Sequence, residues 1–139
     1  MKNLNKKQKI YLMVGLLILV LSCLAIKKEI FDQKVDEARD DVEYYEGNTE
    51  GYYLSEASLY DKLESSEYGF TQPEIDKAVT DEDIDFNAVA YNAALDLLRA
   101  GYPLDGIRII MEGGSEWYGG FTDEQVTYAI QTIIDNEYN

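Results

Sequence analysis

The sequence predicts an all-α protein: an N-terminal transmembrane helix followed by a tandem repeat of two three-helix, helix-turn-helix-like units. Three observations predict it. Residues 10–26 read IYLMVGLLILVLSCLAI, seventeen residues without a charge. Two blocks of the remaining chain align with each other at offsets of 50 and 51 residues. Helix-start signals recur at matched places in both blocks, while the strict alternation that half-buried strands need is weak throughout. The chain is therefore divided into a basic tip (1–9), an apolar anchor (10–26), an acidic stalk with a first helix (27–50), the rest of repeat 1 (51–84) and repeat 2 (85–139).

Charge bounds the function before any motif does. The 139 residues carry 12 Lys and Arg against 27 Asp and Glu, a formal charge of −15, with no histidine and one cysteine. Residues 1–28 hold six lysines and no acid, whereas residues 29–139 hold six basic residues and all 27 acids, a formal −21. An anionic body repels phosphate backbones, so no nucleic-acid partner is expected. The absence of histidine excludes His-dependent triads and Cys–His pairs, and Cys23 alone excludes an intramolecular disulfide. No cofactor, metal or enzymatic activity is expected.

The apolar run, as a helix rising about 1.5 Å per residue, spans roughly 26 Å, close to the thickness of a hydrocarbon core. Its anchor positions include Ile10, Leu16, Leu17 and Ile26. Lys2, Lys6, Lys7 and Lys9 precede it and Lys27 and Lys28 follow, with Glu29 and Asp32 close behind. That asymmetry points the N-terminus to the cytoplasm and the acidic body outside the cell membrane. Two readings of the run stay open. One is an uncleaved single-pass anchor, which the sequence favours. The other is a cleaved lipoprotein signal with Val20-Leu21-Ser22-Cys23 as the lipidation box and Cys23 as the lipidated residue. Ser22 suits that box, but Leu21 is large where a small residue is preferred, and the apolar run continues through Leu24, Ala25 and Ile26.

Beyond the anchor, Val35, Ala38, Val42 and Tyr45 recur three and four apart in a dense acidic run, a thin apolar stripe on a solvated helix over about 34–46. Gly47 and Asn48 are expected to end it. The first repeat block pairs Gly51 with Gly101, Tyr52 with Tyr102, Leu54 with Leu104 and Ser65 with Ser115. The second pairs Phe70 with Phe121, Thr71 with Thr122, Ile75 with Val126, Ala78 with Ala129 and Val79 with Ile130. Ser55 and Asp105 precede apolar-periodic runs and suit N-caps. Thr71-Gln72-Pro73-Glu74 and Thr122-Asp123-Glu124-Gln125 read as capping boxes, and Pro73 is tolerated in a first turn. Gly51 and Gly101 suit the turns entering the middle helices. The expected helices are 34–46, 55–66 and 71–80, then 86–100, 105–113 and 122–136. Ala90, Ala94, Leu97 and Leu98 give the fourth its apolar face, with Phe86 before it.

Two further readings are set aside. Three-helix units with a tight middle turn occur in DNA-binding proteins, but a recognition helix needs Lys and Arg where this body is acidic. The run Asp81-Glu82-Asp83-Ile84-Asp85 invites calcium, yet an EF-hand loop counted from Asp81 would place Phe86 at the glycine position and Asn92 at the glutamate position.

Residues 63–79 (LESSEYGFTQPEIDKAV), 83–94 (DIDFNAVAYNAA) and 119–130 (GGFTDEQVTYAI) resemble the host cell surface-exposed lipoprotein family, which includes the Ltp-type superinfection-exclusion proteins of prophages in streptococci and their relatives. Leu54-Ser55, Leu63, Ser66-Glu67-Tyr68-Gly69, Phe70-Thr71 and Ala78-Val79 match the family's repeat in the first copy. Phe121-Thr122, Gln125 and Tyr128-Ala129-Ile130 match it in the second. Asp85-Phe86 stands where the family has aspartate-tryptophan. The second middle helix lacks the family's glutamine-leucine pair, and the weak lipidation box is closer to exclusion proteins held by a membrane helix.

The resemblance implies superinfection exclusion: an outward-facing acidic domain that blocks phage DNA injection by binding the basic tape measure protein. The candidate contacts are Glu56, Asp61, Glu64, Glu67, Asp81, Glu82, Asp83 and Glu116. Eleven of the twelve tyrosines lie beyond the anchor and add surface suited to binding. An extracytoplasmic adaptor for a host cell-envelope protein is the second role the residues allow, and they leave the oligomeric state open.

Overall fold

The computed structural model describes residues 3–46, 53–114 and 117–139. The described residues form six α-helices and no strand: α1 Lys6–Glu46, α2 Glu56–Glu64, α3 Gln72–Glu82, α4 Phe86–Arg99, α5 Leu104–Glu112 and α6 Asp123–Glu137. The chain divides into two compact units, Met1–Lys34 and Val35–Asn139. Gly47, Asn48, Gly51, Tyr52, Ser115 and Glu116 lie outside the described residues, so the expected helix stop and the first matched turn fall there.

The helix α1 corrects one expectation. Instead of an anchor, a stalk and a separate helix beginning near residue 34, a single helix of 41 residues runs through all three. No glycine or proline occurs between Gly15 and Gly47, and the stretch between the apolar run and Val35 is rich in straight-chain Lys, Glu and Gln. Nothing there interrupts the hydrogen-bond ladder. Asn5 and Gln8 start the helix reciprocally: the Gln8 N–H donates to Asn5 Oδ1 at 2.9 Å and the Asn5 N–H donates to Gln8 Oε1 at 3.0 Å. In the first unit, an 18-residue window of the helix has mean hydropathy 2.5 with none of it buried, long and apolar enough to cross a membrane. The Ser22 hydroxyl donates to the Ile18 carbonyl at 2.8 Å, so this polar group is satisfied within the helix.

In the second unit the same helix buries Val35, Ala38 and Val42 of the predicted stripe, while Tyr45 is half-buried. Ser55 caps α2 as expected, accepting from the Ser58 N–H at 3.2 Å. α3 begins at a box in which the Thr71 N–H donates to Glu74 Oε2 at 3.4 Å, with Pro73 in the first turn. It ends on Asp83 in the left-handed region, φ 47°. Asp85 caps α4 by accepting from the Asn87 and Ala88 N–H groups.

The end of α4 turns on Gly101, φ 96°: the Tyr102 N–H donates to the Leu97 carbonyl and the Gly101 N–H to that of Leu98. This turn sets α5 two residues earlier than a cap at Asp105 requires. Pro103 takes the cap position, its carbonyl accepts from the Ile107 N–H, and Asp105 lies inside the first turn. The expected Asp105 cap is thus corrected, although its carboxylate still faces the positive end of the helix dipole. α6 carries a full capping box: Thr122 Oγ1 accepts from the Gln125 N–H at 3.2 Å, and Gln125 Oε1 accepts from the Thr122 N–H at 3.0 Å.

The packing follows from side-chain size. α4 presents Ala90, Ala93, Ala94 and Leu97 to Val126, Ala129, Ile130 and Ile133 of α6, the most extensive helix contact among the described residues. Alanines let the two backbones approach closely. Ile107 and Met111 of α5 and Phe121 complete the cluster, with Tyr53, Leu104, Ile110 and Tyr118 packed at its edge. Leu98, expected on the buried face, is half-buried there. Toward the other end of the unit, Leu54, Leu59, Leu63, Phe70, Ile75, Ala78 and Val79 are buried. Polar ties join these elements. Arg39 Nε on α1 donates to Glu82 Oε1 on α3 at 2.8 Å, and Asp41 hydrogen-bonds Ser66.

Candidate functional site

The acids singled out in the sequence fall into two groups. Glu56, Asp61 and Glu64 lie on α2 and Glu67 in the turn after it, all four exposed. Asp81, Glu82 and Asp83 lie at the end of α3. Of these, Glu82 pairs with Arg39 and Asp81 pairs with Lys77 at 3.0 Å, so both carboxylates are engaged within the fold. Asp83 is exposed and its left-handed backbone ends the helix. Glu116 lies outside the described residues. Among the described residues no cluster of three Asp, Glu, His or Cys side chains is arranged to hold a metal ion.

Cations in the second unit are few and mostly occupied. Residues 35–139 contain five Lys and Arg against 25 Asp and Glu. Arg39 serves Glu82, Lys77 serves Asp81, and Arg108 reaches Glu112 at 2.8 Å and Asp123 at 3.2 Å. Lys62 Nζ sits 4.8 Å from the centroid of the Trp117 ring, a cation–π contact. The remaining acids therefore give the unit an uncompensated negative field.

Two of the unit's clefts lie beside α2 and α5. The first, about 320 Å³, lies between α2 (Ser58, Asp61, Lys62) and the glycine pairs Gly113-Gly114 and Gly119-Gly120. Its wall is an interlock: the buried Ser55 hydroxyl donates to the Gly119 carbonyl at 2.9 Å. Gly120, φ 80°, comes so close that a Cβ there would lie 2.9 Å from Ser55 Oγ. The second cleft, about 450 Å³, runs between the end of α4 and α5, lined by Asp96, Tyr102, Ile109, Ile110 and Tyr118 among others. Ile109 is 72% exposed, the most exposed large apolar side chain described in this unit. The Tyr118 hydroxyl donates to Asp96 Oδ2 at 2.6 Å. That bond, with burial behind it, pushes the Tyr118 phenol up to about 12.

Sequence reasoning passed over Asp96, Ile109, Tyr118 and the Lys62–Trp117 contact. A signal for Ile109 was present. Leu104, Ile107 and Met111 set the inward period of α5, and a residue two positions from Ile107 lies roughly 200° around the helix. The Asp96–Tyr118 pair, 22 residues apart, had no local signature.

Two carboxyls near the end of α1 are perturbed by burial. Glu46 is pushed up to about 7, and its buried Oε1 has no hydrogen-bond partner among the described residues. Asp41 is also raised, burial outweighing its hydrogen bond with Ser66.

The anchor residues Ile10, Leu16, Leu17 and Ile26 are all exposed along α1, and Cys23 is an exposed free thiol on the same helix. Comparison of this chain with known protein families, with characterised proteins and with solved structures finds no match.

Proposed function

We propose that this chain is a superinfection-exclusion protein, held in the cell membrane by α1 with its N-terminus in the cytoplasm. The acidic helical unit outside blocks phage DNA injection by binding a basic protein of the injection machinery, the tape measure protein being the first candidate. The observation that carries the proposal is electrostatic. A unit with five cations and 25 acids, whose cations are largely taken up inside the fold, is joined in one chain to an apolar helix able to cross a membrane. Such a field steers a basic polypeptide from a distance and speeds the capture of a short-lived target.

The proposal includes a tandem origin for residues 34–136. Supporting it, five aligned pairs have closely matching burial: Phe70 and Phe121 at 8% and 4%, Ile75 and Val126 at 0%, Ala78 and Ala129 at 0%, Val79 and Ile130 at 6% and 8%. The fifth pair, Thr71 and Thr122, starts the helix in each segment and is exposed in both.

The test separates adsorption from injection. The chain is expressed in a sensitive host, and phage adsorption and intracellular phage DNA are measured independently. Normal adsorption with little intracellular DNA is expected for at least one phage. Full DNA delivery by every phage tested would sink the reading.

A further inference from the structure

We propose that the cleft between α4 and α5 is the docking site for a basic amphipathic helix of the partner, with Asp96 receiving a Lys or Arg side chain and Ile109 meeting the helix's apolar face. The inference rests on the reading that the partner is a basic protein, and it names where on the acidic unit such a protein is held.

Three features of the cleft converge. The first is apolar surface. Ile109 is aliphatic, with no polar tip to justify exposure to water, yet it is 72% exposed, and Tyr102 beside the cleft is 46% exposed. Covering them removes apolar area from solvent, which is favourable. The second is a carboxylate in an aromatic setting. Asp96 is half-buried, and Tyr53 and Tyr102 lie close enough to Tyr118 to raise its phenol electrostatically together with Asp96. Among the described residues only Oδ2 of Asp96 accepts a side-chain hydrogen bond, from Tyr118, which leaves the second oxygen for an incoming donor. A cation placed there gains the carboxylate in a cleft that Tyr102 and Tyr118 also line. Arg99, one turn further along α4, forms no ion pair with Asp96.

The third feature is charge complementarity around the cleft. Asp105 and Glu112 lie on α5 four residues before and three after Ile109, on the same side of the helix. Glu112 is shared with Arg108, whereas Asp105 is exposed. An occupant with lysines flanking a leucine or isoleucine stripe satisfies all of these groups at once. A neutral or acidic helix would leave Asp96 facing no counter-charge. Helix-in-groove recognition works in this way, an apolar stripe supplying area and flanking charge fixing register.

The experiment uses the full-length chain in detergent micelles and a fluorescent synthetic peptide of repeated Lys and Leu at helical spacing. A matched peptide with Glu in place of Lys is the control. Wild type is expected to bind the Lys–Leu peptide and not the Glu–Leu one. Asp96→Asn, which keeps an acceptor for Tyr118, and Ile109→Ser, at a position that packs against nothing in the core, should each weaken binding about tenfold. Glu43→Gln, at an exposed acid of α1 that does not line the cleft, should leave binding within about twofold.

Equal binding by wild type, Asp96→Asn and Ile109→Ser would overturn the proposal, as would equal losses in all three variants, which would mark diffuse electrostatic capture. No binding by wild type would overturn it as well. The same variants in the infection assay keep the two readings apart. Exclusion lost in Asp96→Asn and Ile109→Ser but kept in Glu43→Gln supports the cleft. Exclusion intact in all variants removes the cleft while leaving the exclusion reading standing. A wild-type chain that excludes no phage removes the exclusion reading whatever the peptide does.

Discussion

Residues 69–79 and 120–130 carry aligned sequences and the same local build in different surroundings. Each opens with a left-handed glycine, φ 64° at Gly69 and 80° at Gly120, followed by a buried phenylalanine, a threonine at the helix start and buried residues three, four and one apart. Their neighbours differ. A Cβ on Gly69 would meet nothing within 4 Å, while one on Gly120 would press on Ser55 Oγ at 2.9 Å and Ser58 Oγ at 3.4 Å. The same sequence device is a simple turn in one place and an interlock with α2 in the other. Local sequence specifies the turn, but what the turn touches depends on elements far along the chain.

The largest expected effect tests whether the two segments bear equal load. Ile75→Ala should cost about 2–5 kcal/mol, and Val126→Ala somewhat less for its smaller lost volume. Chemical unfolding of the full-length chain in micelles measures both. A larger loss at Val126 would mean that the α4–α6 contact makes the second segment the stiffer one.

Next come the glycines. Gly69→Ala should cost about 1–2 kcal/mol from the left-handed backbone alone. Gly120→Ala should cost more by about 1 kcal/mol or above, because Ser55 must also give way. In a Ser55→Ala background that excess should largely vanish, and an unchanged excess would remove the interlock from the account.

A pH effect is expected from the end of α1. Glu46, raised from 4.5 to about 7, is protonated in the folded state over a range where the unfolded chain has already lost that proton. Folding thus holds more protons there, and stability falls as pH rises from about 4.5 to 7. Asp41, also raised, adds in the same direction from lower pH. Thermal midpoints of Glu46→Gln across this range should be flatter than wild type. An equally steep dependence in the variant would assign the effect elsewhere.

The smallest difference concerns the caps. Thr122→Ala, which removes the Oγ1 that accepts from the Gln125 N–H at 3.2 Å, should cost about 1 kcal/mol, and Thr71→Ala less, since the Thr71 side chain makes no direct cap bond of that kind. Equal losses would show that the Thr122 hydroxyl bond does not set the difference.

Much of the helical layout was legible because its signals are local. The threonine boxes, Ser55 and the apolar periods place α2, α3, α4 and α6 within a few residues of the structure. Two elements were misplaced for physical reasons. The stalk merges into α1 because charge alone does not stop a helix, and only glycine, proline or a competing cap would. Asp105 loses the cap because the Gly101 turn brings Pro103 into position first. Of the predicted contact acids, Asp81 and Glu82 are engaged by Lys77 and Arg39, and the Arg39 pairing spans 43 residues that no local pattern connects.

The sequence by itself determined the division of charge, the apolar helix, the helix starts and the buried faces, since each depends on residues within a turn or two of one another. Tertiary structure alone decided which carboxylates face water and which are spent on internal pairs. It also brought Asp96 to Tyr118 and Ser55 to Gly119, and left Ile109 standing in solvent. Those outcomes turn on which surfaces meet when helices pack, and that is set by the whole chain.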